Sequence, residues 1–292
     1  MSEADLVFMP YNYLLDKKTR GSSLLSFKDA IVIFDEAHNV ESSCYDAVSC
    51  EINSDDLNLS EKELAHCLEL VDSPFFMSSM SAFGGVSKDT VIAAQRFVTK
   101  LKENMSKFVI PQGTNFLSES GDAIFRVFEE GQQFTNGSDR VEIDTILGSF
   151  EEIVKLYLED QYNRRSGKRS AFQTLVSALR TIYGMAEKED DETADDPSAC
   201  YAKLLDRNQK RKELIEKSRS FYRMVISEPA PTSYGKQQLS NTSTAGNVRT
   251  MAYWCFNPGV VMKDLISMGV RSIVLTSGTL SPMKSFMQEM QM

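Results

Sequence analysis

Asp35, Glu36 and His38 stand within four residues of one another, directly after the apolar run Ile31-Val32-Ile33-Phe34. Two adjacent carboxylates followed by an imidazole suit metal-assisted hydrolysis of a phosphate bond. In that chemistry Asp35 would hold a Mg²⁺ bridging triphosphate oxygens, through a water. Glu36 would orient and deprotonate the attacking water. His38 would hydrogen-bond to a neighbouring motif and report the nucleotide state. Strand-Asp-Glu-Ala-His is the Walker B arrangement of nucleotide-driven motors. An acidic first helical turn after a core strand would use the same residues, and on these residues alone that alternative stays open.

Such side chains need an element to present them. The β-branched run at 31–34 predicts a strand buried on both faces of a parallel sheet. In open α/β sheets ligands bind at the carboxyl ends of strands, which is where Asp35 and Glu36 fall. A second strand is predicted over 271–276, running into Ser277-Gly278-Thr279-Leu280-Ser281-Pro282. Ser277 and Thr279 would link the γ-phosphate state to a bound strand, as small hydroxyl residues beside Walker B can in motor ATPases. A plain strand-to-helix turn with Pro282 early in the helix is the competing reading.

Around these two pieces the patterning is uneven. Residues 6–9 read as a short strand and 10–16 as a brief helix, with a polar connection at 17–23 and a helix outward over 41–50. The first fifty residues thus predict β-α-β-α, part of a doubly wound sheet. From Glu51 helical periodicity dominates. Asn53 to Leu59 carries helix-start chemistry, and Ser60 with Glu63 three residues on reads as the beginning of an amphipathic helix with a Ser cap. The helix over 90–108 carries apolar residues at Val91, Ala94, Val98, Leu101 and Met105, and 172–185 repeats the pattern at Leu175, Leu179 and Ile182. Further helical segments are predicted at 124–128 and 143–158. The acidic run 187–196 reads as a solvated loop. After Asn247 the α/β signal returns, with a strand over 250–256, a stop at Asn257-Pro258-Gly259, and a helix ended by Gly269. The predicted organisation is an α/β part at 1–50, a helical insertion at 51–247 and a second α/β part at 248–292. An insertion of roughly 200 residues is far beyond an ordinary loop.

Composition narrows the classes. With 42% hydrophobic and 25% charged residues the 292-residue chain falls among globular proteins, and its net charge of −9 argues against coating nucleic acid over the whole surface. A local basic groove is compatible with that charge. No apolar run approaches a membrane span, and the first residues lack the plan of a signal peptide. The five cysteines, Cys44, Cys50, Cys67, Cys200 and Cys255, contain no C-x-x-C pair and predict reduced thiols of an intracellular protein. With only His38 and His66, a structural zinc site is not expected.

Phe8-Met9-Pro10-Tyr11-Asn12-Tyr13-Leu14-Leu15-Asp16 and Val32-Ile33-Phe34-Asp35-Glu36-Ala37-His38-Asn39-Val40-Glu41 together resemble the iron–sulfur superfamily 2 DNA helicases of the xeroderma pigmentosum group D type. Tyr253-Trp254-Cys255-Phe256-Asn257-Pro258-Gly259 and Val270 to Leu280 extend the resemblance. It is specific over about the first fifty and last forty residues and loose between them. The resemblance implies an α/β fold: part of RecA-like (P-loop NTPase) motor domain 1, with a large, mainly α-helical arch insertion. It makes Asp35-Glu36-Ala37-His38 helicase motif II, and Thr276, Ser277, Gly278 and Thr279 the coupling residues of motif III. ATP and Mg²⁺ are the implied cofactors. Single-stranded and branched DNA are the implied partners, in 5′-to-3′ unwinding for repair and telomere maintenance in the nucleus. Protein partners through the arch are a further implication.

The departures bear on activity. There is no G-x-x-x-x-G-K-[ST]; Gly167-Lys168-Arg169 and Gly235-Lys236-Gln237 lack both the leading glycine and the following hydroxyl. The cysteines that hold the family's 4Fe-4S cluster have no counterparts, and the second motor domain would lie beyond Met292. The chain therefore reads as an internal piece of a helicase, inactive alone, with uncovered sheet faces that favour aggregation. Arg164, Arg165, Lys168 and Arg169 form the densest basic cluster and are candidate DNA contacts, with 207–217 a second; solvated faces compete for both. Tyr201, Phe221 and Tyr222 suit core packing better than base stacking. A non-catalytic arch-containing interaction protein is the alternative from another class. A DEAH RNA helicase ranks lower, because that class usually has Ser-Ala-Thr where this chain has Ser277-Gly278-Thr279.

Overall fold

The computed structural model describes residues 4–21, 25–73, 86–129, 143–163, 169–183, 213, 215–228, 248–279 and 283–290. In chain order its elements begin with helices α1 (Asn12–Leu15) and α2 (Lys17–Gly21), strand β1 (Ile31–Phe34), a 3₁₀ turn at Ala37–Asn39 and helix α3 (Val40–Val48). Next come β2 (Cys50–Asn53), α4 (Ser54–Val71), α5 (Lys88–Lys107), β3 (Phe116–Ser120), α6 (Ala123–Glu129), α7 (Ile143–Asn163) and α8 (Ala171–Tyr183). The last are β4 (Tyr222–Ser227), β5 (Thr250–Cys255), α9 (Gly259–Ser267), β6 (Ser272–Leu275) and α10 (Met283–Met290). The α/β class with a largely helical middle is as the sequence predicts.

Two units share the chain. One comprises Met1–Cys50, Thr181–Arg223 and Tyr253–Met292, the other Glu51–Arg180 and Met224–Ala252. In the first, β1 and β6 pair in parallel, Ile31 opposite Ser272 and Phe34 opposite Leu275. Val32 and Phe34 point into a core with Leu14, Leu15, Val40, Cys44, Met262 and Leu265. Ile31 and Ile33 are 59% and 63% exposed. The strand is thus buried on one face, not both. The core joins β1 to residues of α1, α3 and α9 on that one side, and alternate side chains of a strand must point opposite ways. Residues 6–9 form no strand, and Leu6 and Phe8 are exposed. An apolar run without a partner strand gains no ladder hydrogen bonds. Gly269 ends the turn after α9 at φ +79°, a left-handed position that favours glycine.

The second unit is built on helix pairs. Helix α5 buries Val91, Ala94, Val98, Leu101 and Met105, the stripe its periodicity predicts, and packs along α4. Phe97 stacks on Phe128 of α6 and tilts against Phe150 of α7, which in turn meets Phe172 of α8. Helix α4 starts at Ser54, where the Asn53 side chain accepts from the Asp56 N–H at 2.7 Å. The start thus falls in the 53–59 stretch whose chemistry suggests it, whereas Ser60, expected as a cap, lies well inside the helix and donates to the Asp56 carbonyl. Arg249 closes the far end of α5 by donating to the carbonyls of Met105 and Phe108 while pairing with Glu228. A second sheet has the strand order β2-β5-β4-β3. No described helix is long and apolar enough to cross a membrane.

Candidate active site

Parallel pairing brings the carboxyl ends of β1 and β6 side by side, so the loops that follow them meet. The Thr276 N–H donates to the Phe34 carbonyl at 2.9 Å, and the Ala37 N–H donates to the Thr276 carbonyl at 2.9 Å. Between these two bonds lie Asp35 and Glu36, both exposed. Glu36 adopts φ 51°, ψ 48°, the left-handed region that side-chain-bearing residues avoid. Its N–H donates to Asp35 Oδ1 at 3.0 Å, and its carbonyl accepts from the Asn39 N–H at 3.0 Å, which closes the 3₁₀ turn. Tyr11, at the start of α1, donates its hydroxyl to the Asp35 carbonyl and sets its ring edge-on to Phe34. Burial, then the charges of Asp35 and Glu36, push the Tyr11 phenol above its ordinary range, so it stays a donor at neutral pH.

His38 carries the link between the loops. Its Nδ1 lies 2.9 Å from Ser277 Oγ and 3.2 Å from Glu36 Oε2. Ser277 Oγ also lies 3.4 Å from Glu36 Oε2 and accepts from the Thr279 N–H at 3.4 Å. An imidazole, a carboxylate and a hydroxyl thus form one small triangle. Whichever ring nitrogen holds the proton, His38 has a partner of the right kind, because the serine hydroxyl both donates and accepts. Thr276 contributes through its backbone, and a Cβ at Gly278 would meet nothing within 4 Å.

The donor set suits a hydrated divalent cation. Mg²⁺ keeps several waters and binds through one or two carboxylates plus substrate phosphates, which the exposed pair Asp35 and Glu36 can provide. A cluster of iron and sulfide is a different matter. It needs converging thiolates, and among the described residues no group of three His, Cys, Asp or Glu is placed to hold a metal. Burial, then Cys255 and Glu41, push the Cys44 thiol up to about 12; burial, then Glu63 and Asp160, do the same to Cys67.

Sequence reasoning singled out Asp35, Glu36, His38, Thr276, Ser277, Gly278 and Thr279, and the structure brings these together. Arg169 is described and exposed. Arg164, Arg165 and Lys168 lie outside the described residues, as do Tyr201, Cys200, Leu280 and the acidic run 187–196. Tyr222 is buried and stacked on Tyr253 at 4.4 Å. Tyr11 was missed as a site residue. It lies 24 residues before Asp35, and no spacing rule connects a helix-start tyrosine to a strand end that far on.

Residues 1–57 match the DEAD_2 family, and residues 62–258 match the family described as RTEL1 helicase, ARCH domain. The chain is 27% identical over 290 residues to the regulator of telomere elongation helicase 1 homolog of Drosophila ananassae, covering 99% of this chain and 28% of that protein. Against the Aedes aegypti homolog it is 29% identical over 296 residues, covering 99% and 27%. Against regulator of telomere elongation helicase 1 of Mus musculus it is 27% identical over 305 residues, covering 99% and 23%. The chain therefore spans about a quarter of the length of these curated relatives.

Proposed function

The chain belongs to the RTEL1 helicase ARCH-domain family, and on that premise we propose that it forms the acid-bearing part of an ATP-driven DNA helicase motor together with its arch. Residues 1–50 and 248–292 are assigned to the motor and 51–247 to the arch. The observation that carries the reading is the 2.9 Å contact of His38 Nδ1 with Ser277 Oγ. It joins the acidic loop after β1 to the hydroxyl loop after β6, which is what coupling of hydrolysis to movement along DNA requires.

In this reading a bound Mg²⁺ would supply charge neutralisation for the phosphates. Asp35 is the residue that would hold the cation through its carboxylate, with the Tyr11 hydroxyl and the Glu36 N–H fixing the residue's backbone and Oδ1. Glu36 takes the proton of the attacking water at its carboxylate. His38 holds Glu36 Oε2 and Ser277 Oγ in one frame, so a shift of either loop is felt by the other. The full activity, 5′-to-3′ unwinding of single-stranded and branched DNA in the nucleus for telomere and genome maintenance, is assigned by kinship with the relatives.

A second reading rests on the absence of G-x-x-x-x-G-K-[ST] from the sequence. Without that cradle of backbone N–H groups and its lysine, Asp35 and Glu36 have no positioned triphosphate to act on. The 292-residue polypeptide is expected to hydrolyse ATP negligibly, with or without single-stranded DNA. One experiment separates the readings: an antibody against helix α5 recovers the native protein, whose size and DNA-stimulated ATPase are then measured. The helicase reading predicts a native polypeptide far larger than 32.8 kDa, with ATPase that disappears in Glu36→Gln. Native material of about 32.8 kDa without DNA-stimulated hydrolysis would leave a non-catalytic arch-containing interaction protein.

A further inference from the structure

The peptide between Asp35 and Glu36 is held at both ends. Its N–H, that of Glu36, donates to Asp35 Oδ1 at 3.0 Å, and its carbonyl accepts from the Tyr11 hydroxyl. The next peptide is held too: the Ala37 N–H donates to the Thr276 carbonyl at 2.9 Å, and the Glu36 carbonyl accepts from the Asn39 N–H at 3.0 Å. Glu36 sits between them at φ 51°, ψ 48°, a conformation disfavoured for a residue with a Cβ. A planar peptide can turn over about its long axis with little movement of the chain, because ψ of one residue and φ of the next change in opposite senses. Turning over the Asp35–Glu36 peptide would bring Glu36 to negative φ and release its strain. Two bonds on that peptide oppose this, and they are unequal. The bond to Asp35 Oδ1 is local and is lost whenever the Asp35 side chain turns. Tyr11 comes from another element. Its own carbonyl accepts from the Leu14 and Leu15 N–H groups, both at 2.9 Å, and Leu14 and Leu15 are buried in the same core as Phe34. Its ring stands edge-on to Phe34, with centroids 5.7 Å apart. The hydroxyl is therefore delivered from a fixed position.

We propose that Tyr11 is a positioning residue whose hydroxyl keeps the Asp35–Glu36 peptide from turning over, and so fixes both acids of the site. Its bearing on ATP hydrolysis rests on the reading of Glu36 as the general base; the hold itself rests on the geometry. Turned over, the peptide would exchange a carbonyl for an N–H. The Glu36 N–H would leave Asp35 Oδ1, and the Asp35 carboxylate would have to swing away from the approaching carbonyl oxygen. Glu36 would lose the backbone that now sets its Oε2 3.2 Å from His38 Nδ1 and 3.4 Å from Ser277 Oγ. A phenol suits the task. Its oxygen faces a carbonyl and must donate, and burial, then the charges of Asp35 and Glu36, disfavour its phenolate.

The test compares folding equilibria in the 292-residue chain and needs no catalytic activity. Glycine at a left-handed position avoids the Cβ penalty, so with Tyr11 present the folding constant of Glu36→Gly should exceed that of Glu36→Ala about fivefold. In the Tyr11→Phe background the peptide turns over, and the same ratio should fall to about one or below, because at negative φ glycine loses its advantage. Tyr11 replaced by p-aminophenylalanine, which keeps the ring and a donor, should retain the preference; this variant decides the matter if Tyr11→Phe fails to fold. A preference that survives in Tyr11→Phe, or is lost with p-aminophenylalanine, would overturn the proposal, as would its absence from the parent background. In native protein with DNA-stimulated ATPase, Tyr11→Phe should lower kcat about tenfold or more and change KM for ATP less than about twofold. Unchanged kcat there would overturn the positioning role. A native parent without ATPase would sink the helicase reading instead, and the folding ratios would still decide whether Tyr11 holds the peptide.

Discussion

Glu36 occupies a backbone region that costs an L-residue roughly 1–2 kcal/mol. It is held there by the Ala37–Thr276 and Asn39–Glu36 backbone bonds, with the Tyr11 hydroxyl on the preceding carbonyl. Strain at the residue assigned as the general base means that its carboxylate direction is set by the backbone. Glycine carries no such penalty, so Glu36→Gly should be more stable than Glu36→Ala by about 1 kcal/mol, read from urea unfolding midpoints. The reverse order would mean that Glu36 is not held left-handed in solution. Much of the site was legible in residue types alone, because Asp35, Glu36 and His38 follow a β-branched run without interruption. The left-handed turn was not legible, since Asn and Gly are the usual signals for it and neither stands at position 36.

At the scale of elements, the clearest lesson is Glu63. Its spacing from Ser60 suggested a local capping box. The carboxylate instead accepts from Ser170 Oγ and from the N–H groups of Ala171 and Phe172, at 2.7, 2.8 and 3.0 Å. It caps α8, more than 100 residues away, where a negative charge also complements the helix dipole. Glu63→Ala is expected to cost about 1–3 kcal/mol and to lower hydrogen-exchange protection first in the opening turn of α8. Equal loss of protection along α4 and α8 would place the effect in general packing instead. Helices such as α5 were legible because one apolar stripe with period 3.6 suffices to define them. Strand β3 was not: Phe116-Leu117-Ser118-Glu119-Ser120 carries little β signal, and it is the neighbouring strand that makes it one.

Over the whole molecule, remote segments are tied by a few charged contacts. Arg20 and Asp264 are 244 residues apart in sequence. Burial on its own would push the Asp264 carboxyl up, but hydrogen bonds from Lys17 and Arg20 hold it below its ordinary value of 3.8. A depressed folded-state value means stability that is complete above about pH 4 and lost as pH falls through the folded value. Asp264→Asn should therefore cost about 1–3 kcal/mol at pH 7, because it leaves the buried Arg20 without its counter-charge. The difference from the parent should shrink below about pH 4, measured by urea unfolding across pH; a gap that persists in acid would assign the loss to packing.

The two loops of the candidate site are 241 residues apart, from Glu36 to Ser277. On a ribosome adding about 5–20 residues per second, Glu36 and His38 are made roughly 12–48 s before Ser277 exists. During that interval β1 has no β6 beside it, while Ile31 and Ile33 already carry apolar side chains that even the finished fold leaves exposed. The second unit, whose first segment Glu51–Arg180 is made without interruption, can gather its helices in the meantime. Strand β1 is thus synthesised well before β6, the strand it pairs with. Until β6 is made, the β1 edge that it will pair with has no partner, and such an edge is a template for pairing with other chains.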